Sequence, residues 1–92
     1  MVANIKSAKK RIRQTQKRTL RNKIRKTMVR TAVRRFDDAL NRGDLEAAAT
    51  ALRFCYGRLD RAAQKGAIHR NNASRRKSRL ALRLQRAQKS AS

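Results

Sequence analysis

Acidic residues occupy only the middle of this 92-residue chain, and this segregation of charge limits how its two ends can fold. All five carboxylates lie from Asp37 to Asp60, whereas residues 1–35 carry 14 lysines and arginines and residues 61–92 carry 10. Two such cationic ends repel each other unless a polyanion lies between them. Because a dense array of phosphates neutralises this charge and releases condensed counterions, the pattern indicates a nucleic-acid partner.

The composition favours helices around a thin core. Leu, Ile, Val and Phe make up only 17 of the 92 residues, and the net charge is +22. This combination is typical of chains that stay disordered in isolation. The chain nevertheless has no proline and three glycines, and it is rich in Ala, Leu, Arg, Lys and Gln, which are strong helix formers. We therefore expect one small helical domain that becomes fully ordered when a partner matches its charge.

Two glycines divide the chain into helical segments. Gly43 and Gly66 suit the left-handed position that follows a helix C-terminus, and Asp44 can cap the helix that comes next. The spacing of apolar residues predicts three helices, at about residues 6–41, 45–64 and 68–88. No alternating strand pattern is present. The sequence therefore predicts an all-α fold, a three-helix bundle.

One face of the first helix changes its chemistry halfway along. In the second half this face is apolar and comprises Met28, Ala32, Val33, Phe36, Ala39 and Leu40. In the first half the same face carries Arg11, Arg18, Arg21 and Arg25. Burying unpaired arginines costs several kcal/mol each. We therefore expect a long first helix that projects beyond the bundle, with residues 1–25 as a basic extension and residues 26–88 as the bundle.

The other two helices each carry one apolar stripe. In the second helix the stripe comprises Leu45, Ala48, Leu52, Cys55, Tyr56, Leu59 and Ala63. In the third it comprises Ile68, Ala73, Leu80, Leu84 and Ala87. Gly57 weakens the second helix by about 1 kcal/mol relative to alanine, a cost that is tolerable if a neighbouring helix packs closely there.

Catalytic and metal sites lack the residue types that they need. An enzyme requires convergent nucleophiles, acids, bases or metal ligands, but this chain has one His and one Cys. Cys55 and His69 supply at most two zinc ligands, and we interpret Cys55 as a small buried apolar residue. Asp37 and Asp38 point about 100° apart on a helix, so we interpret them as solvated acids beside arginines. We expect no enzymatic activity, no metal, no cofactor and no small-molecule substrate.

Other classes of partner are less consistent with the pattern. The longest uncharged run, Ala47–Leu52, is far shorter than the roughly 20 residues of a membrane span. The apolar residues of the basic segment are scattered around the helix, which argues against a membrane-active helix; they are Ile5, Ile12, Leu20 and Ile24. Phe36 and Tyr56 lie on apolar stripes, so no exposed aromatic platform for single strands is expected. A DNA-binding architectural protein shares the charge and stays the alternative, although apolar wedges and a dimer face are not evident.

Two motifs resemble a known family. Residues 65–80 read Lys-Gly-Ala-Ile-His-Arg-Asn-Asn-Ala-Ser-Arg-Arg-Lys-Ser-Arg-Leu. This run resembles the signature K-G-x-I-H-K-N-x-A-A-R-x-K-S-R-L of the S20 family of bacterial small-subunit ribosomal proteins. The opening run from Ala3 to Arg11, Ala-Asn-Ile-Lys-Ser-Ala-Lys-Lys-Arg, is similar to the start of that family. Arg70 stands where the family usually has Lys, and Ser74 where it has Ala.

The resemblance implies a three-helix bundle with an extended first helix, bound as a monomer in the small subunit of the cytoplasmic ribosome. It implies direct binding to the 5′ domain and the penultimate stem of small-subunit ribosomal RNA, early in assembly. The matched positions that it implies as RNA contacts are Lys6, Ser7, Lys9, Lys10, Arg11, Lys65, His69, Arg70, Asn71, Arg75, Lys77, Ser78 and Arg79, and we include Arg76 from the same run. The pattern of the first helix adds Arg18, Arg21, Arg25 and Arg30 independently of the family. For His69, a structural role at the start of the third helix is the alternative.

Overall fold

The computed structural model describes residues 2–91, with side chains from residue 6 onward, and these residues form three α-helices. Helix α1 spans Val2–Asn41, α2 spans Leu45–Gln64 and α3 spans Arg70–Ala91. No strand occurs among the described residues. The predicted all-α architecture is confirmed. The third helix begins two residues later than predicted, because the residues before it complete a turn.

Two glycine turns connect the helices, as the sequence predicts. Gly43 has a φ of 75° and Gly66 a φ of 76°, the left-handed conformation that glycine adopts without steric cost. In the first turn the Gly43 N–H donates to Leu40 and the Asp44 N–H donates to Ala39. This bond pattern is the Schellman motif. Asp44 also caps α2, since its carboxylate accepts a hydrogen bond of 3.0 Å from the Ala47 N–H. The predicted cap is therefore confirmed.

The core lies between the C-terminal half of α1, α2 and α3, and α2 packs against both of the other helices. Phe36, Cys55 and Leu59 are fully buried at its centre. Most predicted core positions are at least half buried, but Met28 is 42% exposed and Val29 is buried in its place. Met28 lies at the edge of the predicted face, whereas Val29 lies inside it. Ala62 was also missed and is fully buried.

No neighbouring helix packs closely at Gly57, so the condition under which its cost would be tolerable is not met. Gly57 is exposed, and a Cβ atom built there would meet no other atom within 4 Å. The fold does not require a glycine at this position.

The N-terminal half of α1 projects beyond the bundle, as predicted. Among the described side chains, the first buried one in α1 is Val29. At about 1.5 Å per residue, the 40 residues of α1 span about 60 Å, twice the length of the 20-residue α2. The molecule accordingly measures 71 × 22 × 13 Å. None of the described side chains in residues 6–28 is buried, although the last part of this segment lines clefts that it shares with α2.

Two ion pairs fix α3 against its neighbours. Arg83 pairs with Asp37 of α1 and lies 5.6 Å above the Phe36 ring. Lys77 pairs with Asp60 of α2 at 3.0 Å. The interpretation of Asp37 as a solvated acid is therefore wrong, because this half-buried carboxylate has an oxygen shielded from solvent and joins two helices.

Candidate nucleic-acid interface

The projecting part of α1 presents a dense column of cations. Residues 6–28 hold 11 lysines and arginines, no acid and no buried side chain. Every predicted contact residue in this segment is exposed except Arg25, which is half buried; the exposed ones are Lys6, Ser7, Lys9, Lys10, Arg11, Arg18 and Arg21. The Arg25 guanidinium donates to the Asn22 side chain at 3.4 Å, which keeps it along the helix surface. Arg30 is exposed as well, one residue beyond the first buried position.

This column is electrostatically unfavourable for the protein alone. Arg21 and Arg25, like Lys17 and Arg21, are like charges one helical turn apart, and such pairs destabilise a helix by a few tenths of a kcal/mol each. Phosphates placed alongside would reverse the sign of these terms. The arrangement therefore suits a polyanion that runs along the helix.

The second group of predicted contacts lies at the start of α3. Most of its members are exposed, namely Lys65, His69, Arg70, Asn71, Arg75, Ser78 and Arg79, and Arg76 is half buried. Lys77 differs from them because its ammonium is held by Asp60 and lies 5.2 Å from the centre of the Tyr56 ring. In this structure Lys77 therefore stabilises the contact between α2 and α3.

His69 caps the N-terminus of α3. Its backbone carbonyl accepts from the Ala73 N–H at 3.1 Å, and its Nδ1 atom accepts from the Asn71 N–H at 3.1 Å. A side chain that accepts a hydrogen bond two residues into the helix is an N-cap. The structural alternative for His69 is thus present in the fold. When Nδ1 accepts this bond, Nε2 is the ring nitrogen that can donate to a ligand.

The fold brings the two cationic groups to the same end of the bundle. Two short connections reverse the chain twice, so α3 runs in the same direction as α1. Arg83 contacts Asp37, and Arg70 lies 13 residues, or about 20 Å, before Arg83 along α3. This distance places Arg70 at the level of residue 24 in α1, where the projecting segment leaves the bundle. The cationic start of α3 therefore lies at the level of the base of the rod formed by residues 6–28.

Two arginines of α2 join this surface, and the sequence analysis missed both of them. Arg58 and Arg61 line a cleft of about 250 Å³ together with Arg21 and Arg25 of α1. Four guanidinium groups and no carboxylate therefore border one concave site. The signal in the sequence was that Arg58 and Arg61 lie outside the apolar stripe of a helix whose other charges nearly balance. The part of α1 that faces these two arginines depends on how the helices pack, so the sequence alone could not identify it.

An exposed aromatic ring lies beside this cleft, contrary to expectation. Phe54 is 52% exposed, and the Arg58 guanidinium lies 5.1 Å from the centre of its ring. Phe54 borders a groove of about 490 Å³ between α1 and α2, whose α1 side carries Leu20, Ile24 and Met28. These three residues follow each other at intervals of one turn, so they form a stripe rather than a scatter. Of the other two apolar residues in the basic segment, Ile12 is 57% exposed and the Ile5 side chain lies outside the described ones.

Cys55 takes no part in this surface. It is fully buried, and burial together with the negative charge of Asp37 raises the pKa of its thiol. It therefore packs as an apolar residue, as expected. Nowhere in residues 2–91 do three His, Cys, Asp or Glu side chains lie close enough to hold a metal ion, and no helix in that range is long and apolar enough to cross a membrane.

Comparison with known proteins agrees with the motifs. A family model described as ribosomal protein S20 matches residues 3–85. The chain belongs to the ribosomal protein S20 family. It is 56% identical over 77 residues to the small ribosomal subunit protein bS20 of Natranaerobius thermophilus, an alignment that covers 84% of this chain and 88% of the relative. The bS20 proteins of Alkaliphilus metalliredigens and Thermobifida fusca are each 48% identical, over 94% and 97% of this chain and 99% and 97% of the relatives.

Membership of the S20 family decides several expectations. The chain is a structural ribosomal protein and not an enzyme, as predicted, and its predicted place on the cytoplasmic ribosome is confirmed. Both motifs that carried the resemblance fall within the matched residues, the first at the start of the rod and the second at the start of α3.

Proposed function

We propose that this S20-family chain binds small-subunit ribosomal RNA directly and stabilises its folding during assembly. In this proposal the rod of residues 6–28 and the start of α3 contact separate RNA segments, the 5′ domain and the penultimate stem. The main support is the convergence, at one end of a small bundle, of two cationic segments that contain no acidic residue of their own. The relatives are small-subunit proteins by name, which supports the choice of RNA over DNA.

The mechanism is electrostatic and geometric. Two RNA stems repel each other through their phosphates, and a cationic protein between them lowers that repulsion while releasing condensed counterions. Arginine predominates at the start of α3, and its planar guanidinium binds phosphate oxygens in pairs and in a fixed orientation. A-form RNA also presents a shallow minor groove with 2′-hydroxyls, which Ser78 and Asn71 can contact through hydrogen bonds.

Within this proposal, residues 1–25 form an extension that is stabilised by RNA, and residues 26–88 form the bundle. The unfavourable spacing of like charges in the rod supports this division, because only phosphates would offset it. The bundle keeps the start of α3 in place through the pairs Arg83–Asp37 and Lys77–Asp60. The RNA-bound state would therefore combine one preformed surface with one that becomes ordered on binding.

The test is binding of the full chain to defined nucleic acids. Transcripts of the small-subunit 5′ domain and of the penultimate stem, separately and together, are titrated at several salt concentrations, with duplex DNA of equal phosphate count as the control. We expect tighter binding to the RNA that contains both segments than to either alone, and chemical protection of nucleotides in both. Equal affinity for DNA and RNA at every salt concentration would favour the architectural alternative and contradict the proposal.

A further inference from the structure

The cleft and the groove between α1 and α2 form one continuous depression with two chemistries. The cleft is bordered by Arg21, Arg25, Arg58 and Arg61, and the adjoining groove by Leu20 and Phe54 together with Lys23, Thr27, Thr31, Ala32 and Arg35. Ile24, Met28 and Arg58 border both. A ligand that fills the depression therefore meets a cluster of guanidinium groups at one end and a largely apolar surface with one aromatic ring at the other.

We propose that this depression binds one unpaired RNA nucleotide, with its phosphate among the arginines and its base against Phe54. The inference rests on the proposed RNA-binding function and adds a second mode of contact to it. A paired stem offers phosphates but keeps its bases stacked inside, so it would leave the apolar end empty. An extruded nucleotide presents a phosphate and a flat apolar base face side by side, which matches both ends of the depression.

The exposure of Phe54 supports a role for its ring in stacking on a base. The Arg58 guanidinium lies 5.1 Å from the centre of the ring, yet Phe54 is still 52% exposed. A base can therefore stack on the part of the ring that stays accessible to solvent. The ring lies on the side of α2 that faces α1, next to the rod along which the RNA backbone is proposed to run.

The charge of the depression favours an RNA nucleotide over a second copy of the chain and over an acidic peptide. A second copy of the chain is disfavoured because each copy carries a net charge of +22. An acidic amphipathic peptide would match the signs, but four arginines around one cleft of about 250 Å³ are a better match for the compact, multiply hydrogen-bonding phosphate group. Binding of such a peptide in the depression is therefore one of the results that would contradict the proposal.

The experiment compares RNA hairpins that differ in one base. One hairpin carries a single bulged adenosine, a second carries an abasic site at the same bulge, and a third is fully paired. The first two have the same number of phosphates, so a difference in their affinity for the full chain measures the base alone. We expect the adenosine bulge to bind about 5- to 150-fold more tightly than the abasic bulge, the range set by stacking of one base on an aromatic side chain.

Substitutions assign the effect to the ring. Phe54→Leu should abolish the preference for adenosine while keeping the salt dependence, because it removes the ring and no charge. Leu82→Ala, at another exposed apolar position on α3, is the matched control and should keep the preference. The chain has no tryptophan, so Phe54→Trp introduces a unique fluorophore whose emission should be quenched by the adenosine bulge and not by the abasic one.

The outcomes separate this inference from the proposed function. Equal affinity of the wild-type chain for all three hairpins would overturn the nucleotide site and leave RNA binding intact. Failure to bind any of the RNAs would overturn the proposed function itself. If the introduced indole responds to an acidic amphipathic peptide and not to the adenosine bulge, the depression is a protein-docking site and the assignment is wrong.

Discussion

Replacing Arg11, Arg18, Arg21 and Arg25 with glutamine tests whether the projecting half of α1 is an RNA-binding arm. Three of these side chains are exposed and the fourth is half buried, and they spread over about 21 Å of helix. Exposed substitutions usually change stability by less than about 0.5 kcal/mol, and glutamine is a good helix former. We therefore expect the melting temperature of the bundle to stay unchanged.

The effect on RNA binding should be large and dependent on salt. Each lost phosphate contact lowers the magnitude of the slope of log K against log salt by about 0.7 to 0.9, so four lost contacts lower it by about 3. Between 50 and 200 mM salt, the wild-type chain should then lose about 60-fold more affinity than the variant. Fluorescence anisotropy with a labelled transcript over a salt series measures both slopes.

A matched variant distinguishes a specific face from diffuse charge. Substituting Arg13, Lys17, Lys23 and Lys26 with glutamine removes the same charge from the same segment, but from other sides of the helix. We expect a smaller change in slope for this control. Equal changes would show that charge alone, and no particular face, binds RNA. An unchanged slope combined with a lower melting temperature in the first variant would show that its arginines support the fold, and the interpretation of a basic arm would be wrong.

Four further outcomes follow from the structure. Phe36→Ala should lower the free energy of unfolding by about 3 to 5 kcal/mol, because it leaves a cavity at a fully buried site. An unchanged unfolding midpoint would show that Phe36 does not belong to the core. Hydrogen exchange of the free protein should be fastest in residues 6–25 and slow there only when RNA is added, whereas strong protection without RNA would contradict ordering on binding. Gly57→Ala should stabilise the bundle by about 0.5 to 1 kcal/mol, since the added Cβ atom would meet no other atom within 4 Å. Gly43→Ala should destabilise the bundle, because the φ of 75° at this position is unfavourable for alanine. Thermal melts of both variants test the two expectations. Burial raises the pKa of the Cys55 thiol, so the contribution of this thiol to folding stability should be fully present below the unfolded pKa of about 8.5 and should be lost as pH rises through the folded pKa. Denaturant titrations over this pH range should show the loss for the wild-type chain and not for Cys55→Ala.

Local signals in the sequence predicted the elements of this fold well. Gly43, Gly66 and Asp44 each carry a conformational preference that acts within a few residues, so their roles do not depend on the rest of the chain. The change of chemistry along one face of α1 likewise predicted where burial stops, because unpaired arginines are too costly to bury. These features are properties of single helices and can be derived without knowing how the helices are arranged.

Contacts between helices could not be derived in this way. Arg58 and Arg61 belong to a helix that is close to charge balance, and only the packing of α2 against α1 places them beside Arg21 and Arg25. The family motif includes Lys77 among the cationic positions, yet Asp60 holds it in the bundle because the turn between α2 and α3 places the two side chains together. The exposure of Phe54 has the same origin, since its position beside α1 decides whether the ring is covered.

The arrangement of the acids explains why the charges of this chain are so unevenly distributed. Asp44 caps α2 and Glu46 lies in its first turn, where a negative charge is favourable to the helix dipole. Asp37 and Asp60 join α3 to the other two helices by pairing with Arg83 and Lys77. Four of the five acids therefore support the fold, at the positions where α2 begins and where α3 docks. Because these acids engage few of the 27 lysines and arginines, most of the positive charge is left outside the fold, and a partner with dense negative charge is the physical condition for both ends of the chain to be stable together.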